Sequence, residues 1–293
     1  MSELTRRVLF SVVAIPIALA AIWFGDWALA ALLAIAAALA AAEYFRIARE
    51  AGHQPFVMAG AALAGLVPIV MHGRRLGVFG SDLVTLAVVL SLAIFAAAIW
   101  KRWPDGRPIG AAATTVFGIV YTGGTLAYGY SLRYHPYAVG AVAGSAMVAL
   151  PLILTWTSDI GAYFVGRALG RRKLIPAVSP GKTVAGAVGA LVLCMLVAWA
   201  YQRWVLVPRA TLALRPQVPA LGASGALLFG ALISVVAQVG DLAESLIKRE
   251  SGVKDSSHLI PGHGGVLDRL DSLFFVLPTA YLLFDWLLIP ALR

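Results

Sequence analysis

The sequence predicts an all-α, polytopic integral membrane protein with about nine transmembrane helices, its N-terminus inside and its C-terminus outside. Three observations carry this. Of 293 residues, 60% are hydrophobic and only 13% are charged, about half the charged share of a soluble protein. A soluble fold of this size could not hide so much apolar side chain. Nine apolar runs each approach the ~20 residues that a helix needs to cross the hydrocarbon. Finally, Lys and Arg divide unequally between alternate connections, 16 on the side of the N-terminus and 7 on the other. The positive-inside bias then places the N-terminus inside.

The runs fall at about 8–24, 27–45, 55–72, 82–100, 109–131, 137–157, 183–204, 221–244 and 272–290. The first two are split only by Gly25-Asp26, which reads as a tight hairpin. The first run also fits a cleaved signal peptide, with Ala18-Leu19-Ala20 as the site. It continues apolar to Phe24, however, and a second span follows at once, which favours retention. The fifth run is the weakest, with Gly118, Gly123 and Gly124 and few large residues. An even number of spans would break the charge alternation, so count and orientation support each other. No polar tract is long enough to separate one domain from another, so 1–293 reads as a single membrane domain. Residues 1–135 supply N-terminal transmembrane helices, and 136–293 form a catalytic part with cytoplasmic connections at 158–182 and 245–271. Seven of the chain's 14 acids lie between 159 and 271. The first half is nearly all lipid-facing filler by comparison.

The net charge is +9, but the cations sit in short clusters between apolar runs. Positive-inside bias and anionic lipid explain them, and nucleic acid is not expected as a partner. Cys194 stands alone in an apolar run and reads as a packing residue.

Chemistry concentrates in the two connections. In VGDLAESLIKR, Asp241, Glu244, Ser245 and Lys248 share one helix face. A carboxylate at membrane depth is expensive and faces a cavity or a partner, so either a site or a local ion pair with Lys248 explains the stretch. In DRLD, Asp268 and Asp271 share a face of a helix entering the last span. They suit Mg²⁺, which is held by one or two carboxylates plus substrate phosphates; N-capping explains one of them equally well. His258 and His263 lack the further ligands that zinc requires. PGHGG reads instead as a turn whose glycines let backbone N–H groups approach a phosphate, with His263 beside it and His258 an ordinary loop residue. SPGKT is not a P-loop, because Pro176 stands where a glycine is required and no strand precedes it. What remains of it is Ser179, Lys182 and Thr183 at the start of a span, serving an anion or a helix cap. Arg167, Arg171, Arg172 and Lys173 read as a head-group patch, and Asp159 with Tyr163 forms an i,i+4 pair. Carboxylates, cations and a Gly-His-Gly turn together make the inventory for phosphoryl or nucleotidyl transfer.

The stretch SLIKRESGVKDSSHLIPGHGGVLDRLD, Ser245 to Asp271, resembles the signature of phosphatidate cytidylyltransferases, also called CDP-diacylglycerol synthases. That pattern is S-x-x-K-R-x4-K-D, a spacer ending in P-x-H-G-G, then D-R-x-D. The upstream Gly240-Asp241 and the stretch Asp159 to Thr183 also look like this family. Two places depart from it: Val184-Ala185 follow the Lys-Thr, and Ile160 follows Asp159. The resemblance implies transfer of CMP from CTP to phosphatidic acid, giving CDP-diacylglycerol and pyrophosphate, with Mg²⁺ and room for a second cation. It implies metal ligation by Asp241, Asp268 and Asp271. Asp241, Lys248, His263, Asp268 and Arg269 would form the catalytic group. Asp159, Tyr163, Ser179, Lys182, Thr183, Ser245, Arg249, Lys254, Asp255, Gly264 and Gly265 would line the substrates. It further implies a bacterial-type inner (plasma) membrane protein, with its site on the cytoplasmic side and a homodimer. Gly140-x3-Gly144 is a small-residue packing pattern that agrees with dimerisation only weakly. The rivals are a CTP-dependent lipid-alcohol kinase, a cytidylyltransferase for another anionic lipid, and a transporter. The last would show paired halves with broken helices, and no such repeat is present.

Overall fold

The computed structural model describes residues 3–80, 82–138, 140–208, 220–257 and 264–289. The chain is a polytopic membrane protein built from helices at all nine expected places. In order these are α1 (Glu3–Phe24), α2 (Asp26–Glu50), α3 (Val57–Arg75) and α4 (Leu83–Arg102). Next come α5 (Pro108–Ile119), a π-helical turn (Val120–Gly124) and α6 (Thr125–Arg133). α7 (Gly140–Leu169), α8 (Val184–Tyr201), α9 (Ala223–Glu250) and α10 (Leu267–Leu287) complete the set. Among the described residues, 8 helices are long and apolar enough to cross a membrane, counting α5, the π turn and α6 as one; Phe10–Phe24 of α1 forms a shorter apolar helix. Gly25 and Asp26 both have positive φ, and Gly25 N–H donates to Ala21 O, so α1 and α2 are joined by a turn as tight as the sequence implies.

Among the described residues, two short strand pairs accompany the helices. Short strands β1 (Lys173–Ile175) and β2 (Ser179–Thr183) pair antiparallel, with Lys173 opposite Thr183 and Ile175 opposite Ser179. A second small pair joins β3 (Ala220–Leu221) to β4 (Leu288–Ile289). The polar connections are also shorter than 158–182 and 245–271. Nothing between Asp159 and Leu169 breaks a helix, so α7 runs on to Gly170, whose N–H bonds to Gly166 O. α9 likewise continues to Glu250, and α10 begins at Leu267.

The structure forms two compact units. One comprises Met1–Tyr130 with Ile247–Leu270, the other Ser131–Leu246 with Asp271–Arg293. In the first unit α2 packs along α3, and the fully buried Phe45 sits where side chains at Gly60 and Gly118 would collide with its ring. A Cβ at Gly123 would likewise strike the Ala64 backbone. The glycines that make the fifth run look weak therefore let it close on α2 and α3, as small residues do between membrane helices. In the second unit α7 packs along α8, and the buried Cys194 donates its thiol to Leu154 O at 3.3 Å, the packing role expected of it. Gly144 lies against Arg133 of its own chain. Gly144 is thus taken up within the fold, while a Cβ at Gly140 would meet open space.

Candidate functional site

The second unit holds a cavity of about 510 Å³, lined in part by Asp159, Tyr163, Arg167, Lys173, Lys182, Thr183, Gln238 and Asp241, within the range of pockets that take small ligands. Three elements build it. The last turns of α7 carry Asp159, Tyr163 and Arg167 on a helix face. The β-hairpin brings Lys173 and Lys182 together, and α9 contributes Gln238 and Asp241. Lys182 Nζ lies 2.7 Å from Asp241 Oδ2, both groups partly exposed, and also reaches Gln238 O at 3.5 Å. Ser245 Oγ donates to Asp241 Oδ1 at 3.5 Å. Arg167 donates to Tyr163 Oη at 2.9 Å, so Tyr163 is bonded to the cation four residues on. Arg167 and Lys173, expected among head-group cations, are cavity residues. Thr183 Oγ1 accepts from Gly186 N–H at 3.1 Å and is therefore the N-cap of α8, the second of the two roles open to it.

The first unit holds a second polar cluster at the start of α10. Asp268 Oδ1 accepts from Lys248 Nζ at 2.7 Å, and the pair is largely buried, with side chains 15% and 9% exposed for Lys and Asp. Asp268 Oδ2 accepts from Ser256 N–H at 3.0 Å, Ser256 Oγ at 2.8 Å and Gly265 N–H at 2.8 Å. The carboxylate thus bonds back onto the preceding turn, which is more than helix capping. Gly264 has φ +80, the left-handed backbone that a turn glycine supplies,. The Gly265 N–H expected to meet a phosphate meets Asp268 instead. Arg249, Lys254, Asp255 and Arg269 are exposed. Ser179 opens β2 and Asp271 lies one turn into α10, in the second unit. His258 and His263 lie outside the described residues.

Asp241 pairs with Lys182 and Lys248 with Asp268. Sequence reasoning also missed Glu43, a buried carboxylate of α2 hydrogen-bonded to the turn beside Asp268. The available signal was the cost of a lone acid in an apolar run. Gln238 and Ser256 were missed as well, and nothing in their local sequence marks them.

Two comparisons bear on this arrangement. A cytidylyltransferase family model matches residues 5–287. The chain belongs to the cytidylyltransferase family. It is 31% identical over 314 residues to a phosphatidate cytidylyltransferase from a Synechocystis strain, covering 99% of each chain. It is 36% identical over 288 residues to one from Pseudomonas aeruginosa, covering 94% of this chain and 95% of that one. A Bacillus subtilis phosphatidate cytidylyltransferase is 41% identical over 140 residues, 48% of each chain. Membership of this nucleotidyltransferase family gives the paired lysines and carboxylates a chemical context. Cations that now sit on Asp241 and Asp268 are the groups such an enzyme needs for phosphates.

Magnesium can be tested against the donor set. Among the described residues no group of three His, Cys, Asp or Glu side chains is placed to hold a metal. Magnesium does not require one, since one or two carboxylates with substrate phosphates and water suffice. Asp159 and Asp241 line the same cavity beside cations. The hard oxygen donors present fit Mg²⁺ and do not fit zinc.

Proposed function

We infer that this protein transfers CMP from CTP to phosphatidic acid, releasing pyrophosphate and leaving CDP-diacylglycerol in the membrane. One observation carries the reading: the family relationship runs from residue 5 to 287, and both polar clusters fall inside it. A phosphate oxygen of phosphatidate attacks the α-phosphorus of CTP in line. The new bond is oxygen to α-phosphorus, the broken bond joins α-phosphorus to the bridging oxygen, and its electrons leave on pyrophosphate. The nucleophile is already anionic, so no strong base is needed. The difficulty is repulsion between two polyanions, and catalysis is positioning with charge compensation.

In this reading Asp241 would hold Mg²⁺ in the cavity of the second unit, and the resemblance gives metal roles to Asp271 of that unit and Asp268 of the first, with room for a second cation. When bound, the metal would neutralise phosphate charge and polarise the phosphoryl oxygens. Lys182, Arg167 and Lys173 offset phosphate charge in the cavity of the second unit. Lys248, Arg249, Lys254 and Arg269 do so at the turn before α10. His263, outside the described residues, keeps the role that its place in the signature implies. The cytoplasmic side, the inner membrane and a homodimer belong to the same proposal; the first rests on the Lys and Arg split, the other two on the family resemblance.

The test uses purified protein in detergent with CTP, Mg²⁺ and phosphatidate. Label in the α-phosphate of CTP enters the lipid in cytidylyl transfer, whereas a lipid-alcohol kinase transfers label from the γ-phosphate. Asp268→Asn and Asp241→Asn are each expected to slow CDP-lipid formation by at least ~100-fold, the scale of losing one charge-stabilising group. Formation at the wild-type rate in either variant would remove that residue from the site.

A further inference from the structure

We propose that Glu43 is a positioning residue for this transfer, a buried carboxylate of α2 that ties Ser256 and Ser257 to the start of α10 and holds the Asp268 side chain in place. The geometry stands alone; the kinetic consequence rests on the transferase reading above.

Glu43 is 2% exposed and lies seven residues before the end of α2, about 10 Å along the helix axis. A carboxylate there is costly unless its oxygens are well bonded. Oε1 accepts from Ser257 Oγ at 2.6 Å and Val266 N–H at 3.1 Å. Oε2 accepts from Leu267 N–H at 2.7 Å and lies 3.1 Å from Ser256 Oγ. The Leu267 amide opens α10 and the Val266 amide directly precedes it, and the first N–H groups of a helix have no partner within it. Glu43 therefore caps α10 from another helix, and it ties Ser256 and Ser257 to Val266 and Leu267 at the start of α10. The fit leaves no space. A Cβ at Gly265 would run into Ser256 Oγ and Glu43 Oε2.

The link to Asp268 is the Ser256 hydroxyl, which lies within reach of both Glu43 Oε2 and Asp268 Oδ2. A hydroxyl has one hydrogen and donates to one acceptor at a time. Glu43 is the alternative acceptor. When Asp268 takes a cation, Ser256 can turn its proton to Glu43 without leaving a buried donor unsatisfied. Groups that orient a metal ligand in this way typically change metal affinity or activity by 10–100-fold when removed.

The experiment compares full-length wild type, Glu43→Gln, Glu43→Ala, Ser257→Ala and, as a control on the same helix, Glu50→Gln, all in detergent. Limited trypsin digestion reads cleavage after the exposed Lys254. CDP-lipid synthesis reads the Mg²⁺ concentration for half-maximal rate, and a thermal shift with CTP reads the Mg²⁺ dependence of the midpoint. Glu43→Gln is expected to be cleaved at least ~10-fold faster and to need ~10–100-fold more Mg²⁺ by both readouts, with excess Mg²⁺ restoring rate. Ser257→Ala, which leaves Glu43 intact, should fall between, and Glu50→Gln should match wild type. Wild-type cleavage and Mg²⁺ dependence in Glu43→Gln overturn the proposal. So does a lower metal-free midpoint with unchanged Mg²⁺ dependence, which assigns Glu43 to stability alone. A wild type that makes no CDP-lipid defeats the transferase reading. The cleavage comparison then decides the seating role by itself, with faster cleavage supporting it and equal cleavage overturning it.

Discussion

Two lysine–aspartate pairs look alike in the sequence and differ physically. Lys182 and Asp241 are partly exposed, with side chains 22% and 34% accessible, and pairs of that kind contribute about 0–1 kcal/mol. Lys248 and Asp268 are nearly enclosed, and breaking such a pair typically costs about 3–5 kcal/mol because one charge is left buried. Lys182→Met should therefore leave thermal stability almost unchanged while kcat/KM for CTP falls at least ~10-fold. Lys248→Met should lower both stability and rate. Equal thermal losses in the two variants would contradict this assignment. A third residue makes a prediction about pH. Burial holds the His135 imidazole below its ordinary value, against the opposing pull of Asp285, whose Oδ1 is 3.2 Å from Nε2. The neutral ring is thus favoured by folding. Its contribution is complete above the unfolded value, about 6.5, and is lost as pH falls through the lower folded value. The thermal midpoint should drop as pH is lowered below about 6.5, and His135→Gln should flatten that region of the profile. A His135→Gln profile identical to wild type would remove His135 as the cause.

The elements show what the sequence can and cannot announce. Hydropathy marks helices because burying backbone in lipid demands internal hydrogen bonds, so helices form at all nine runs, while α7 and α9 run on past the apolar residues that announced them. The β1–β2 hairpin escaped because three-residue and five-residue strands with charged and prolyl residues carry no period. It is held instead by its place between α7 and α8. Asp241, Lys248 and Asp268 were legible as chemistry because polar residues in a chain this apolar stand out. Their partners were not, since Lys182 is 59 positions from Asp241 and Glu43 is 225 from Asp268. Only the fold brings such groups together. Thr183 shows a residue whose sequence offered two roles: it fills that of helix cap and also lines the cavity. As the N-cap of α8, Thr183→Ala should cost about 0.5–2 kcal/mol, and Thr183→Ser should restore most of it. A Thr183→Ala protein as stable as wild type would mean that α8 starts without this cap.

At the scale of the molecule, contacts within each unit report which helix ends share a side. In the first unit Arg75 at the end of α3 pairs with Asp26 between α1 and α2 at 2.5 Å. Arg102 at the end of α4 donates to Gln54 O, between α2 and α3, at 2.8 Å. In the second unit Tyr201, ending α8, donates to Ala146 O near the start of α7 at 2.9 Å. Each contact joins ends that a nine-span alternation assigns to one face. The contacts support the alternation, and the excess of Lys and Arg is the ground on which one face is proposed to be inside. Cysteine labelling tests the absolute direction. Cys194 is buried and is the chain's single cysteine, so Cys194→Ser gives a clean background. In bacterial cells converted to spheroplasts, Leu76→Cys should react with a membrane-impermeant maleimide. Lys254→Cys should react only in inverted vesicles. The reverse pattern would put the Asp268 turn outside, away from cytosolic CTP, and would defeat the cytoplasmic placement of the transfer reaction. Reaction of both from one side would break the alternation itself.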